Sequence, residues 1–238
     1  MSNFQGFQQA TGFRARESAQ HAAATAFLWG VYRWMALGLL ITGLTAYAVA
    51  TSPAAINFIF GNPMVFFGLL IGQLVLVFAF TPVATRASSS TAALMFIAYS
   101  ALMGLTLSAI FLRYTEASIG QVFLVTAGSF GGLAVFGATT KRDLSPVGRF
   151  MMFGLIGIII ASVVNIFLKS PAVYWVSTYA GVLVFAGLTA YDTQRLRQLY
   201  LAEGGARNLA LTGALIMYLD FVNLFLFLLR IFGDDRRR

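Results

Sequence analysis

The sequence predicts an all-α polytopic membrane protein with seven transmembrane helices. Three observations lead to this prediction. Hydrophobic residues make up 59% of the chain and charged residues only 10%, the mean hydropathy is +0.80, and short polar linkers separate seven long apolar stretches. A soluble domain has about 25% charged residues, so a water-soluble globular class is excluded.

Each apolar stretch is long enough to cross a bilayer, since a spanning helix needs about 20 predominantly apolar residues. The linkers carry the Pro, Gly, Asn and Ser residues that are typical of turns, and none is long enough to fold as a domain. The predicted spans are 32–51, 64–82, 92–112, 119–139, 148–168, 172–192 and 208–230. We therefore expect a polar cytosolic tail over 1–28, a membrane domain over 29–233 and a charged tail over 234–238.

Composition also limits the classes of function. The chain has no cysteine, which excludes disulfides, thiolate nucleophiles and Cys-ligated metals. The net charge of +8 does not indicate nucleic-acid binding, because the basic residues are scattered among short loops and form no basic stripe. We expect them to orient the protein in the membrane.

The basic residues predict an orientation with the N-terminus in the cytosol. In that orientation the inner side carries Arg14, Arg16, Arg33, Arg86, Lys141, Arg142, Arg149, Arg195, Arg197 and Arg207. The outer loops of the first six spans hold only Arg113 and Lys169. Such an excess of Lys and Arg is typical of cytoplasmic loops. The last span leaves two geometries open, because a full crossing would put Arg230 and the DDRRR tail outside, whereas a re-entrant segment would keep them inside.

Two acidic residues fall within predicted membrane spans. Of the eight acids in the chain, six lie in loops or tails, and the other two are Asp192 and Asp220, in consecutive spans. Helical character continues past Asp192 to a turn near 203–206. At 1.5 Å per residue the two carboxyls lie about 15 and 22 Å from that turn, so they are expected at similar depth in the cytosolic half of the membrane.

A close pair of membrane carboxyls predicts proton sensing. Two carboxyls in one site are expected to share a proton and titrate as a unit, and the deprotonated pair presents the oxygen ligands that Ca²⁺ prefers. We therefore expect Asp192 and Asp220 to form a proton-sensing site with a transient Ca²⁺ contact. Supporting or latching residues are expected from their spacing or position, namely Thr189, Arg195, Asn223 and Arg86, of which Arg86 could equally be a simple membrane anchor.

Four segments resemble the Bax inhibitor-1 family, also called the transmembrane Bax-inhibitor-motif family. They are TAYDTQRLRQLY, MYLDFVNLFLFLLRIFG, TTKRDLS and YSALMGLTLSAIF, and the last is similar to the bacterial members. The likeness runs from Tyr32 to Gly233. The resemblance implies seven helices with the last helix enclosed by the other six, and a pH-sensitive calcium leak channel or transporter. It also implies a pH-sensing aspartate pair at Asp192 and Asp220, with Arg86 latching one of these acids in the closed state.

The resemblance also implies a bacterial cytoplasmic (inner) membrane protein whose partners are lipid, Ca²⁺ and protons, with no cofactor. One bacterial branch restrains a membrane-bound AAA protease, so a regulatory protein that transports nothing is the alternative function. The sequence departs from some channel-like members in that the second span carries Gln73 and no acid. An intramembrane aspartyl protease is a remote alternative, because Asp220 follows MYL rather than the GxG of those enzymes, and we expect no enzymatic activity.

Overall fold

The structure, a computed structural model, describes residues 2–204 and 208–236, with side chains described from residue 19 onward except that of Glu203. This part of the chain contains nine helices and no strands. In chain order the helices are α1 (Ser2–Ala50), α2 (Pro53–Phe60), α3 (Pro63–Arg86), α4 (Ser89–Leu107), α5 (Ala109–Arg113), α6 (Glu116–Thr139), α7 (Ser145–Leu168), α8 (Pro171–Glu203) and α9 (Leu209–Phe232). Seven of the helical segments are long and apolar enough to span a membrane, which confirms the predicted fold class.

The helices begin and end where the sequence supplies capping residues. The side chains of Ser52, Asn62 and Ser88 accept hydrogen bonds from backbone amides in the first turns of α2, α3 and α4. Such caps satisfy amides that have no partner within the helix. Helix α8 ends at Gly204, whose φ of 63° is left-handed, a conformation that glycine adopts without steric cost. Of the consecutive spans, α3 packs beside α4, α7 beside α8, and α8 beside α9.

Helix α9 lies at the centre of the bundle and packs against α8, α1, α6, α3 and α4. It is the most buried of the spans, whereas α7 is the least buried and packs mainly on α8. Aromatic pairs line the contacts of α9: the Phe96 and Tyr218 rings lie 5.9 Å apart, and those of Phe130 and Phe221 5.3 Å apart. The remaining outer surface is apolar, with exposed side chains such as Phe78 and Phe153, which is the surface expected to face lipid.

The expected boundary between residues 28 and 29 falls inside α1. This helix is continuous from Ser2 to Ala50, and it packs on the bundle before residue 29, since Leu28 is buried and the Phe27 ring stacks on Tyr200 at 4.6 Å. The side chains of Arg14 and Arg16, and the whole of Arg207, which were assigned to the cytosolic side, lie outside the described residues.

The two ends of the bundle differ. At the end called here the basic end, the α3–α4 and α6–α7 loops and the α8–α9 turn lie together, and the Asn208 side chain ties two of them by donating to the Ala84 oxygen at 2.8 Å. At the opposite tail end, Asp235 forms a backbone bridge with Tyr114 and an ion pair with Arg113 at 3.2 Å. Helix α9 therefore crosses the whole bundle, and Asp235 and Arg236 lie at the end away from the α8–α9 turn.

Candidate functional site

The structure brings Asp192 and Asp220 together inside the bundle. Asp192 lies eleven residues before the end of α8 at Glu203, and Asp220 lies eleven residues after the start of α9 at Leu209. At 1.5 Å per residue both lie about 16 Å from the basic end. Their side chains are within hydrogen-bonding distance of each other and are buried, with exposed fractions of 7% and 5%.

The close approach of α6 to α8 positions Asp192 for its contact with Asp220. Gly137 of α6 lies so close to α8 that a Cβ there would meet the carbonyl oxygen of Ala190. A side chain at this position would therefore push α8 away from α6, and Asp192, two residues further on, would move with it. The absence of a side chain at Gly137 lets α6 and α8 approach closely at the level of the acid pair.

One oxygen of the pair accepts no hydrogen bond from a described donor. Among the described residues, Asp220 Oδ2 is buried and makes no hydrogen bond. A buried polar atom left without a partner costs about 1–3 kcal/mol, and more when the group is charged. The arrangement therefore suits a proton or a cation that would satisfy this oxygen.

The charge around the pair is sparse. Arg195, one helical turn from Asp192 on α8, is the basic residue whose charge acts on Asp192, although its side chain is exposed. The charge that acts on Asp220 is that of Asp192. Two carboxyls in contact with one exposed cation nearby are poorly compensated if both are ionised.

The other expected site residues do not reach the pair. Arg86 is exposed at the last residue of α3 and forms no ion pair with any described acid. The Thr189 hydroxyl donates to the Phe185 oxygen at 2.7 Å. The Asn223 amide donates to the Leu219 oxygen at 2.8 Å. Thr189 and Asn223 thus bond to their own helices, and the latch expected of Arg86 is not formed in this conformation.

Gln194 was not predicted from the sequence, yet it braces the helix that carries Asp192. Its side chain is 6% exposed. The Gln194 Oε1 accepts from the Leu144 amide at 2.9 Å, and its Nε2 donates to the Arg142 oxygen at 2.8 Å. These two bonds fix α8 to the α6–α7 loop. The signal in the sequence is a glutamine two residues after the acid, within a stretch that reads as an exposed helical extension.

Tyr32 and Thr193 form a second contact beside the acids. The Tyr32 hydroxyl and Thr193 Oγ1 lie 3.0 Å apart, and Thr193 Oγ1 donates to the Thr189 oxygen at 2.8 Å. This contact joins α1 to α8 next to Asp192. Together with Gln194 it holds Asp192 from two sides.

A separate polar cluster lies on another face of α9. Thr42 Oγ1 lies 2.7 Å from the Tyr218 hydroxyl and donates to the Ser100 oxygen at 2.8 Å. It ties α1, α4 and α9 together in the apolar core. Buried polar groups with complete bonding fix the register of packed helices.

No group of three or more His, Cys, Asp or Glu side chains that could hold a metal ion occurs among the described residues. The acid pair thus offers two carboxylates without a third acidic or histidine ligand. Ca²⁺ takes six to eight oxygen ligands in its tight sites. A cation here would complete its shell with water or backbone oxygens, which suits a passing contact rather than storage.

Comparison with known proteins agrees with this architecture. The chain is 47% identical over 220 residues to the inner membrane protein YbhL of Escherichia coli K12, covering 90% of this chain and 94% of YbhL. It is 44% identical over 225 residues to a protein of Caulobacter vibrioides, covering 88% and 89% of the two chains. It is 36% identical over 213 residues to a membrane protein of Streptococcus pyogenes serotype M1, covering 88% and 93%. The family model described as inhibitor of apoptosis-promoting Bax1 matches residues 24–237, and the chain therefore belongs to the Bax inhibitor-1 family.

Proposed function

We propose that the protein is a pH-sensitive calcium leak channel or transporter gated by Asp192 and Asp220. The observation that carries the proposal is the buried contact between these two carboxyls, in which Asp220 Oδ2 accepts no hydrogen bond from any other described group. An intramembrane acid normally has a partner or lines an ion pathway. Here the partner of each acid is the other acid, which is stable only if a proton or a cation lies between them.

Electrostatics gives the pair two states. Two unit charges about 4 Å apart repel by about 4 kcal/mol at an effective dielectric constant of 20, which disfavours the doubly ionised pair by roughly 1,000-fold. A shared proton removes the repulsion and holds α8 to α9 through a hydrogen bond. Loss of that proton drives the two helices apart unless a cation binds, so rising pH both loosens the contact and favours a divalent ion.

We take the described conformation as the non-conducting one, in which apolar side chains rather than an Arg86 latch close the path. On the faces of α8 and α9 that carry the acids, leucines lie one helical turn away, namely Leu188 and Leu196 on α8 and Leu224 on α9, and all three are buried. Apolar constrictions block ions by excluding water. Conduction therefore requires α8 and α9 to separate, which is the motion that repulsion within the acid pair would produce.

The proposed location is the bacterial inner membrane with the N-terminus in the cytosol. The printed name of the E. coli relative is that of an inner membrane protein, and the orientation rests on the position of Arg86, Lys141 and Arg142 at the basic end. The proposed partners are lipid, protons and Ca²⁺.

Reconstitution into liposomes tests the proposal. Calcium entry is measured from about pH 6 to about pH 8 for the native chain, Asp192→Asn and Asp220→Asn, with Asp235→Asn at the exposed tail as the matched control. We expect flux in the native chain and in the control to rise with pH, and both pair variants to lose that dependence. Unchanged pH-dependent flux in both pair variants would end the proposal. Absence of flux in the native chain, with co-purification of a membrane-bound AAA protease, would favour the regulatory function instead.

A further inference from the structure

An apolar groove of about 520 Å³ opens between α1 and α6. This surface, called here the α1/α6 groove, has Trp29 and Leu39 on its α1 side, Gly131 and Thr139 on its α6 side, and Phe221 of α9 at its floor. Both α1 and α6 pack against α9, but they do not pack closely against each other. Neither Asp192 nor Asp220 lines the groove, and its volume falls in the range of about 300–1,000 Å³ found for small-molecule sites.

The groove is long and runs along the helices. On α1 its lining extends from Thr25 to Leu39, and on α6 from Phe123 to Thr139. At 1.5 Å per residue these stretches are about 21 and 24 Å long, within the roughly 30 Å hydrocarbon thickness of a bilayer. A slot of this length, apolar along its walls and parallel to the membrane normal, fits a single extended hydrocarbon chain.

One end of the groove is positively charged. Thr139 lies at the basic end. Lys141 and Arg142 follow it two and three residues further along the chain, and both are exposed. Among the described residues the ion pairs lie at the opposite tail end, so no described carboxylate neutralises these two cations in an ion pair. The acid of the same loop, Asp143, accepts instead from the Ser145 amide at 2.9 Å.

We propose that the α1/α6 groove binds one acyl chain of a phospholipid whose anionic headgroup lies against Lys141 and Arg142. The apolar walls accept the chain, and the charge at the basic end selects the headgroup. Each Lys or Arg near a membrane surface favours anionic lipid by about 1 kcal/mol, or about fivefold. The two cations together therefore give a preference of roughly 25-fold over a zwitterionic lipid.

Quenching of Trp29 fluorescence by brominated acyl chains tests the proposal. A chain carrying Trp34→Phe and Trp175→Phe leaves Trp29 as the only tryptophan. It is reconstituted in phosphatidylcholine vesicles that contain a small fraction of either brominated phosphatidylglycerol or brominated phosphatidylcholine. We expect phosphatidylglycerol to quench Trp29 at a roughly 25-fold lower fraction than phosphatidylcholine.

Two kinds of variant separate a site from ordinary lipid contact. Gly131→Leu places a side chain in the groove, where an added Cβ meets no atom within 4 Å, and Gly132→Leu is the matched control outside the lining, where the same holds. We expect only Gly131→Leu to abolish the quenching preference. Replacing Lys141 and Arg142 with Gln removes both charges and leaves the groove open. We expect this double variant to be quenched at nearly the same fraction of either lipid.

Three results would overturn the proposal. Equal quenching by both lipids in proportion to their fraction would mean ordinary lipid around the protein. No quenching by either lipid would mean that a protein segment covers Trp29. A preference unaffected by both Gly131→Leu and the double Gln variant would place the anionic lipid elsewhere.

Discussion

Replacement of Gln194 by methionine tests whether this side chain fixes the helix that carries Asp192. Methionine has similar length but cannot bond to the α6–α7 loop, so the Leu144 amide and the Arg142 oxygen each lose their partner. A buried backbone group left without a partner costs about 1–3 kcal/mol. Because the Arg142 bond is only partly buried, we expect a total loss of about 2–4 kcal/mol in the free energy of unfolding.

The assay is unfolding in mixed micelles by titration with SDS, followed by tryptophan fluorescence. Gln198→Met, four residues further along α8 at an exposed position, is the matched control, and we expect it to change the free energy of unfolding by less than about 0.5 kcal/mol. If Gln194→Met were no more destabilising than Gln198→Met, the brace between α8 and the α6–α7 loop would not contribute to stability, and this reasoning would be refuted.

Three further predictions concern packing and topology. Thr42→Val removes the bonds to the Tyr218 hydroxyl and to the α4 backbone and should destabilise the protein by about 1–3 kcal/mol in the same titration. Gly137→Leu places a side chain against the α8 backbone and should cost more than about 3 kcal/mol, or prevent folding. Since the chain has no cysteine, single cysteines at Lys141 and Asp235 should be labelled from opposite sides of the membrane by an impermeant maleimide.

Each packing prediction has a control. Thr51→Val removes an exposed hydroxyl that bonds only to oxygens in the last turn of α1, and Gly132→Leu adds a side chain where there is open space. Both should be close to neutral. Equal effects of Thr42→Val and Thr51→Val, or of the two glycine variants, would contradict the packing described, and labelling of both cysteines from one side would contradict a full crossing by α9.

The spans could be predicted because bilayer thickness and helix rise together set the length of an apolar segment. The extension of α1 could not, because residues 1–28 are mostly polar or small and read as a tail, whereas Leu28 and Phe27 pack on the bundle. The C-terminal side was left open by the distribution of basic residues. In the structure Asp235 pairs with Arg113 at 3.2 Å and Arg236 with Glu116 at 3.3 Å, so these two tail residues are tied to the end of the bundle away from the α8–α9 turn.

The meeting of Asp192 and Asp220 could be anticipated from their height on a helical hairpin. Counted from the end of α8 at Glu203 and the start of α9 at Leu209, the two heights are equal. The hydrogen-bond partners of the neighbouring side chains Thr189 and Asn223 could not be predicted. Thr and Asn in helices often bond to a backbone oxygen one turn earlier, and Thr189 and Asn223 do so.

The α1/α6 groove and the brace by Gln194 also could not be predicted from the sequence. Both depend on how far helices distant in the chain diverge or approach, which periodicity within one helix does not encode. Gln194 is buried and Gln198 is exposed, yet the same residue type lies on the same helix at both positions. They differ in that the α6–α7 loop bonds to Gln194.

Infrared difference spectroscopy tests most directly whether Asp192 and Asp220 share one proton. Spectra of the reconstituted protein are recorded between about pH 6 and about pH 8, and the carbonyl band of a protonated carboxyl is followed. If the two acids share one proton, there is one such band, which weakens as pH rises and changes in both Asp192→Asn and Asp220→Asn. A spectrum without this band at any of these pH values, or a band that neither substitution alters, would contradict a shared proton.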